Sequence, residues 1–221
     1  MIRGSVNKCR VGTGTLVLIL GVMMAISADA FSAPVWRGDA GTTFEQWSFS
    51  EWDYGPVHPD DGWDNDYGSG PPYLVATGNY RQQVDQHSGI WNLGELDIII
   101  PNNPVAQPEK EIWLELTWKG AGLNFLPDKP LVGVECDYED QQIIPQIQIN
   151  QDPPATGTDG WKTTLYKIQI WPNPSSEWIA IKGDIFADKV VIDTFCKIPE
   201  PGVLSLLGLG ALFGLKRKRG V

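Results

Sequence analysis

The feature that most limits the fold is a two-residue alternation of apolar and polar side chains in the middle of the chain. Between residues 111 and 119 every second position is apolar, namely Ile112, Leu114, Leu116 and Trp118. Successive side chains of a β-strand point to opposite faces, so this period predicts a strand with one buried face. The alternation recurs at 146–149 and 166–170, and no stretch of the middle shows a convincing helical period.

Turn-forming residues separate eight or nine such runs. Pro accompanies Asn or Asp at 101–104, 128–130, 152–154 and 172–174, and these residues favour turns. The spacing of the loops is uneven and shows no repeat, which favours a sandwich over a propeller. We therefore predict an all-β fold, a jelly-roll-like two-sheet sandwich, for residues 31–197.

The middle of the chain is strongly acidic. Ten of the 17 basic residues but 25 of the 27 acidic residues lie between Phe31 and Ile198, a net charge of about −15. Such a domain repels phosphate backbones, so we expect no nucleic-acid partner. The charge is typical of a soluble surface, and cation binding is the alternative.

Residues 1–30 have the layout of a secretory signal peptide. Basic residues precede an apolar run at 16–26, and Ala28 and Ala30 flank Asp29 as an A-x-A-like cleavage site before Phe31. The alternative is an uncleaved anchor, although the apolar run is short for a membrane span.

The last residues, 198–221, have three parts in a fixed order. Pro199, Glu200 and Pro201 precede a run of 14 residues that are apolar or glycine except for Ser205, and a basic cluster of Lys216, Arg217, Lys218 and Arg219 follows. As a helix, 14 residues rise only about 21 Å against a hydrocarbon core of roughly 30 Å, so the span is short. Basic residues at such an end favour the cytoplasmic face.

This order resembles the PEP-CTERM sorting signal, in which an exosortase reads the Pro-Glu-Pro motif, the membrane helix and the basic cluster. The resemblance implies processing by signal peptidase and exosortase, transient anchoring in the inner membrane, and a final place at the cell surface or in the extracellular matrix. Together with the layout of residues 1–30, it predicts an N-terminal signal helix and a C-terminal transmembrane helix on either side of the β-sandwich domain, which resembles uncharacterised ectodomains of PEP-CTERM proteins.

Two cysteines, Cys136 and Cys196, lie outside the predicted signal peptide. In an exported protein such a pair suggests a disulfide. It would close a loop of about 60 residues, worth about 4 kcal/mol by chain entropy. Two buried thiols are the alternative.

Acidic and aromatic residues alternate in the segment 47–73. The carboxylates that could chelate calcium are Asp60, Asp61, Asp64 and Asp66. Their spacing does not match an EF-hand, and a solvated acidic loop is the alternative. No other cofactor is expected.

Four tryptophans fall in or beside predicted loops, where an exposed ring could stack on a sugar: Trp52, Trp63, Trp91 and Trp171. Packing in the core or at its rim is the alternative for each of them.

Little in the sequence indicates catalysis. The two histidines, His58 and His87, stand in no zinc-binding or triad-like sequence context. We therefore expect no enzyme, and a structural or adhesive role. Carbohydrate binding, with calcium as an option, is the alternative, and a glycoside hydrolase with two carboxylates is a remote one.

Overall fold

The computed structural model describes residues 31–50, 56–60, 62–64, 71–102, 108–122, 129–138 and 143–197. The predicted signal peptide and sorting tail therefore lie outside the described residues, as do Trp52, Asp61 and Asp66. Across the described ranges no helix is long and apolar enough to cross a membrane.

In the part of the chain that the structure describes, all ten elements are β-strands, which confirms the all-β prediction for that part. In chain order they are β1 (Thr42–Trp47), β2 (Gly62–Asp64), β3 (Tyr73–Val84), β4 (His87–Pro101), β5 (Glu109–Gly120), β6 (Leu131–Asp137), β7 (Gln146–Gln151), β8 (Ala155–Thr156), β9 (Lys162–Trp171) and β10 (Ser176–Lys197).

The strand β10 organises the sheet, because it pairs with four other strands. Its first part, 176–182, lies between β4 and β6. Its last part, 190–195, lies between β1 and β5. The register shifts between Lys182 and Ile185 and again between Ala187 and Lys189, and such irregularities bend a strand.

The bend divides the sheet into two halves. The β4 half contains β3, β4, the first part of β10 and β6. The β5 half contains β2, β1, the last part of β10, β5, β9, β7 and β8. All ten strands belong to one hydrogen-bonded network, because β10 is shared by both halves.

The two halves pack around a single core. The alternating positions of β5 are buried as predicted, with Ile112, Leu114 and Leu116 wholly inaccessible. They join one cluster with residues of the β4 half such as Ile98 and Ile181. Burying an aliphatic side chain of this size contributes about 1.5–3 kcal/mol. In β5 the period of two therefore sets which face of the strand points inward.

The N-terminal turn covers part of the outer face of the β5 half. Trp36 stacks on Phe195 with ring centroids 5.6 Å apart and meets Trp113 edge-on at 5.9 Å. Arg37 forms an ion pair with the nearly buried Asp193. The β7 side of the same face carries the groove described next.

Candidate functional site

A shallow groove runs beside the edge strand β7. It has a volume of about 450 Å³ and is lined by Ile144, Gln146, Gln148, Trp171 and Pro172. In the described part of the chain, β7 pairs with β9 alone and so forms an edge of the sheet. The groove therefore lies where ligand can approach from the side and from above.

The register of β7 and β9 brings the groove residues together. Gln146 is paired with Trp171, and Gln148 with Gln169. Directly paired residues share a face of the sheet, so both glutamines stand on the same face as the Trp171 ring. All of β7 is exposed, because its other side faces no further described strand.

The groove combines an aromatic surface with amides and carries no charged lining residue among those described. A side-chain amide donates two hydrogen bonds and also accepts, while an indole offers a flat apolar surface. Lys167, next to the groove on β9, is held by Asp152 at 2.9 Å. This chemistry fits a neutral ligand with one apolar face and many hydroxyl groups.

The predicted platform tryptophans are placed very differently. Trp171 is half-buried and lines the groove. Trp91 is only 6% exposed and packs edge-on against Tyr80 in the core, so its prediction as a surface platform is wrong. The backbone of Trp63 lies in β2, and its side chain is outside the described atoms.

Trp178, which the sequence analysis did not choose, is the more exposed ring, at 46%. It lies on the outer face of the β4 half between Ile99 and Glu135. Ile179 and Ile181 are buried, so the period of two along the strand places Trp178 on the opposite, outer face. This spacing is a signal in the sequence that could have identified Trp178 as an exposed ring.

The carboxylate of Asp60, predicted as a calcium ligand, holds a neighbouring loop. It accepts hydrogen bonds from the backbone N–H of Ser48 at 2.6 Å and of Ser50 at 2.8 Å. Asp64 lies in β2 opposite Phe44. The described residues contain no group of three or more potential metal ligands, and the calcium site stays a prediction.

The structure contains no bond between Cys136 and Cys196, in contrast to the predicted disulfide. Both remain thiols. The Sγ of Cys196 accepts a hydrogen bond from Asn173 at 3.8 Å and donates one to Asn102 at 3.6 Å. Burial and the nearby Glu177 raise the pKa of the Cys136 thiol to about 11.

A cluster of polar side chains is buried between the two halves, and we call it the buried cluster: Asn102, Lys110, Asn173, Glu177 and Cys196. Lys110 and Glu177 form an ion pair at 1% and 0% exposure. Burial raises the pKa of the Glu177 carboxyl, against the opposing effect of Lys110. Removing one partner of such a buried ion pair is strongly destabilising, because it leaves the other charge unpaired away from water.

A second group that the sequence did not reveal surrounds His87. Its Nδ1 lies 2.8 Å from Asp188 and its Nε2 lies 3.1 Å from Asp159. The ring stacks on Trp161 with centroids 4.3 Å apart. Partial burial lowers the pKa of His87, but the two carboxylates more than offset it, so the net shift is upward.

Comparisons with known proteins identify no relative of this chain. No protein-family model matches the chain, and no curated protein or solved structure matches it either. Function must therefore be inferred from the chain's own residues and their geometry.

Proposed function

We propose that this chain is an exported, non-catalytic protein of the cell surface or extracellular matrix that adheres to polysaccharide through the groove beside Trp171. The observation that carries the proposal is that the Trp171 indole lies beside Gln146 and Gln148 on one exposed face. As the finer description of the fold we propose a jelly-roll-like two-sheet sandwich, supported by the single core between the two halves.

The groove suits a sugar better than an apolar ligand. The C–H face of a pyranose ring matches a flat aromatic surface, while its hydroxyl groups need partners that both donate and accept hydrogen bonds. Gln146 and Gln148 supply such partners beside Trp171. An open groove at a sheet edge also admits a long chain, whereas an enclosed pocket admits only its end.

The charge of the domain favours a neutral glycan. The region between Phe31 and Ile198 carries about −15, which repels uronic acids and sulfated sugars. The lining of the groove adds no positive charge to offset this repulsion. We expect neutral polysaccharides to bind and acidic ones to bind weakly.

The two ends of the sequence support delivery to the outside of the cell. Residues 1–30 would direct export and be removed by signal peptidase. Residues 198–221 would hold the protein briefly in the inner membrane until an exosortase acts at Pro199, Glu200 and Pro201. An adhesive role fits this route, because the protein would arrive where extracellular polysaccharide is present.

The test is retention of the purified full chain on insoluble neutral and acidic polysaccharides, with and without EDTA. We expect saturable retention on a neutral polymer. Loss of one amide partner costs about 1 kcal/mol, or roughly fivefold in affinity, so Gln146→Ala and Gln148→Ala should each weaken retention by that factor. EDTA sensitivity would support the calcium site at Asp60–Asp66.

Gln82→Ala is the matched control, because Gln82 is an exposed glutamine on β3, away from the groove. It should bind like the unchanged protein. Absence of retention on every polymer, or equal losses for Gln82→Ala and Gln148→Ala, would refute the groove as the binding site.

A further inference from the structure

The buried cluster places an amine, a carboxamide and a carboxylate in contact. Asn102 Nδ2 donates to Glu177 Oε2 at 3.0 Å, and Lys110 Nζ donates to the other oxygen of the same carboxylate. Lys110 Nζ also lies 3.2 Å from Asn102 Oδ1. One carboxylate therefore bridges the two nitrogen atoms, with the amine next to the carbonyl group.

We propose that Lys110 and Asn102 condense in the folded protein to an intramolecular amide bond, with Glu177 transferring the protons and ammonia as the leaving group. The inference does not depend on the proposed function. It concerns a covalent modification that the chain would make on itself.

The reaction balances without any further reactant. Glu177 takes a proton from the Lys110 ammonium, and the neutral amine attacks Asn102 Cγ. The protonated Glu177 returns a proton to Nδ2, the Cγ–Nδ2 bond breaks, and ammonia leaves. The new amide nitrogen then gives its extra proton to Glu177. An ion pair and a carboxamide have become a secondary amide, a neutral carboxylic acid and ammonia.

The distances are close to those the reaction needs. Asn102 Cγ lies about 1.2 Å from its Oδ1, and Oδ1 is already within 3.2 Å of Lys110 Nζ. Well-oriented intramolecular groups react with effective molarities of about 10⁵–10⁸ M. A small change in the torsion angles of the Lys110 side chain brings the amine to the carbon.

The surrounding residues hold the leaving nitrogen in place. Asn102 Nδ2 also lies 3.0 Å from Asn173 Oδ1 and 2.6 Å from the backbone oxygen of Pro174, so its two hydrogens are shared among three acceptors. Cys196 Sγ donates to Asn102 Oδ1 at 3.6 Å and so contacts the carbonyl oxygen on which charge develops during attack. Each contact acts on the reacting carboxamide.

Burial favours the products. Two charges away from water are costly even when paired, and the reaction removes both of them. The raised pKa of Glu177, which burial causes and Lys110 opposes, favours the neutral acid that the reaction leaves behind. Exclusion of water also prevents water from attacking the Asn102 carboxamide in place of the amine.

The bond would join the end of β4 to the beginning of β5. Asn102 follows β4, which belongs to one half of the sheet, and Lys110 is the second residue of β5 in the other half. The link would span residues eight positions apart and hold the two halves together beside the two ends of β10, away from its bend between Lys182 and Lys189.

Peptide mapping of the folded full chain tests the proposal. Trypsin normally cuts after Arg81, Lys110 and Lys119. Acylation of Lys110 prevents the middle cut, so the unchanged protein, denatured after folding and then digested, should yield one peptide spanning residues 82–119. That peptide should be lighter than its sequence mass by one ammonia, with the link between Asn102 and Lys110 located by fragmentation.

Glu177→Gln should restore cutting after Lys110 and the full mass, because the proton carrier is gone. Lys119→Arg alters a partly exposed lysine that is paired with Asp85 outside the buried cluster and should keep both signatures. If Glu177→Gln fails to fold, the map of the unchanged protein still decides. Peptides 82–110 and 111–119 at full mass would overturn the proposal. So would a lighter 82–110 that is cut after Lys110, because this indicates a cyclised asparagine.

Discussion

The buried cluster and the groove use similar amide side chains for opposite purposes. Asn102 and Asn173 are 6% and 7% exposed, and their amides bond to groups within the protein. Gln146 and Gln148 are exposed at a sheet edge. An amide inside must be satisfied by the fold, because leaving it unpaired is costly. An amide outside can exchange water for a ligand, so position relative to solvent decides the role.

Tryptophan shows the same contrast. Trp91 belongs to the core cluster, whereas Trp171 borders the groove. We expect changes in the interior to reduce stability, and changes in the groove to reduce binding while leaving stability nearly intact. The predictions that follow test this difference, beginning with the largest effect on stability.

Lys110→Met should lower the free energy of unfolding by about 3–5 kcal/mol, because it leaves the Glu177 carboxylate buried without its ion-pair partner; it also prevents the proposed link to Asn102. The double change Lys110→Met with Glu177→Leu should recover the part of the loss that comes from the unpaired carboxylate, since both charges are then gone. Denaturant midpoints of the single and double variants measure this. Equal losses in the two variants would contradict an energetically coupled pair.

Trp91→Ala should cost about 3 kcal/mol, since it empties a large volume in the core. Trp171→Ala, at the groove, should cost less than about 1 kcal/mol. Thermal unfolding of the two variants side by side gives the comparison. A similar loss in both would mean that Trp171 is a structural residue rather than a ligand platform.

His87 should make stability depend on pH. Because its pKa is raised on folding, the stabilisation from its charged form is complete below the ordinary value of 6.5 and is lost as the pH rises through the folded-state pKa. The melting temperature should therefore fall over this interval, and His87→Gln should remove that part of the fall. His58→Gln, whose ring contacts Pro72 rather than a carboxylate, is the control and should retain it.

Gln148→Ala should change the free energy of unfolding by no more than about 0.5 kcal/mol, the usual range for an exposed position. Its hydrogen bond to Asn150 is long, at 3.4 Å, and solvent-exposed. Chemical denaturation measures this, and a loss above 1 kcal/mol would show that the groove amides stabilise the fold.

The fold was largely predictable because strand periodicity is local. The apolar positions of β5 were chosen from their spacing alone, and they are buried. The sequence analysis is wrong for Trp91, because it places this residue in or beside a loop. The strand begins at His87, since the polar stretch before it forms the hairpin of β3 and β4.

The buried cluster and the His87 group could not be predicted, because their members are far apart in sequence. Asn102 and Glu177 are 75 positions apart, and His87 and Asp188 are 101. No local period indicates such contacts. They follow from the course of β10, which passes from the β4 half to the β5 half and brings distant loops together.

The most direct test of the central claim is a calorimetric titration of the full chain with a soluble neutral oligosaccharide, repeated for Trp171→Ala and Trp178→Ala. Both rings are accessible, but only Trp171 borders the amides of the groove. Loss of an aromatic contact worth about 1.4 kcal/mol corresponds to tenfold weaker binding. The account predicts at least this loss for Trp171→Ala and nearly unchanged affinity for Trp178→Ala. Unchanged binding by Trp171→Ala together with loss in Trp178→Ala would contradict it and move the site to the outer face of the β4 half.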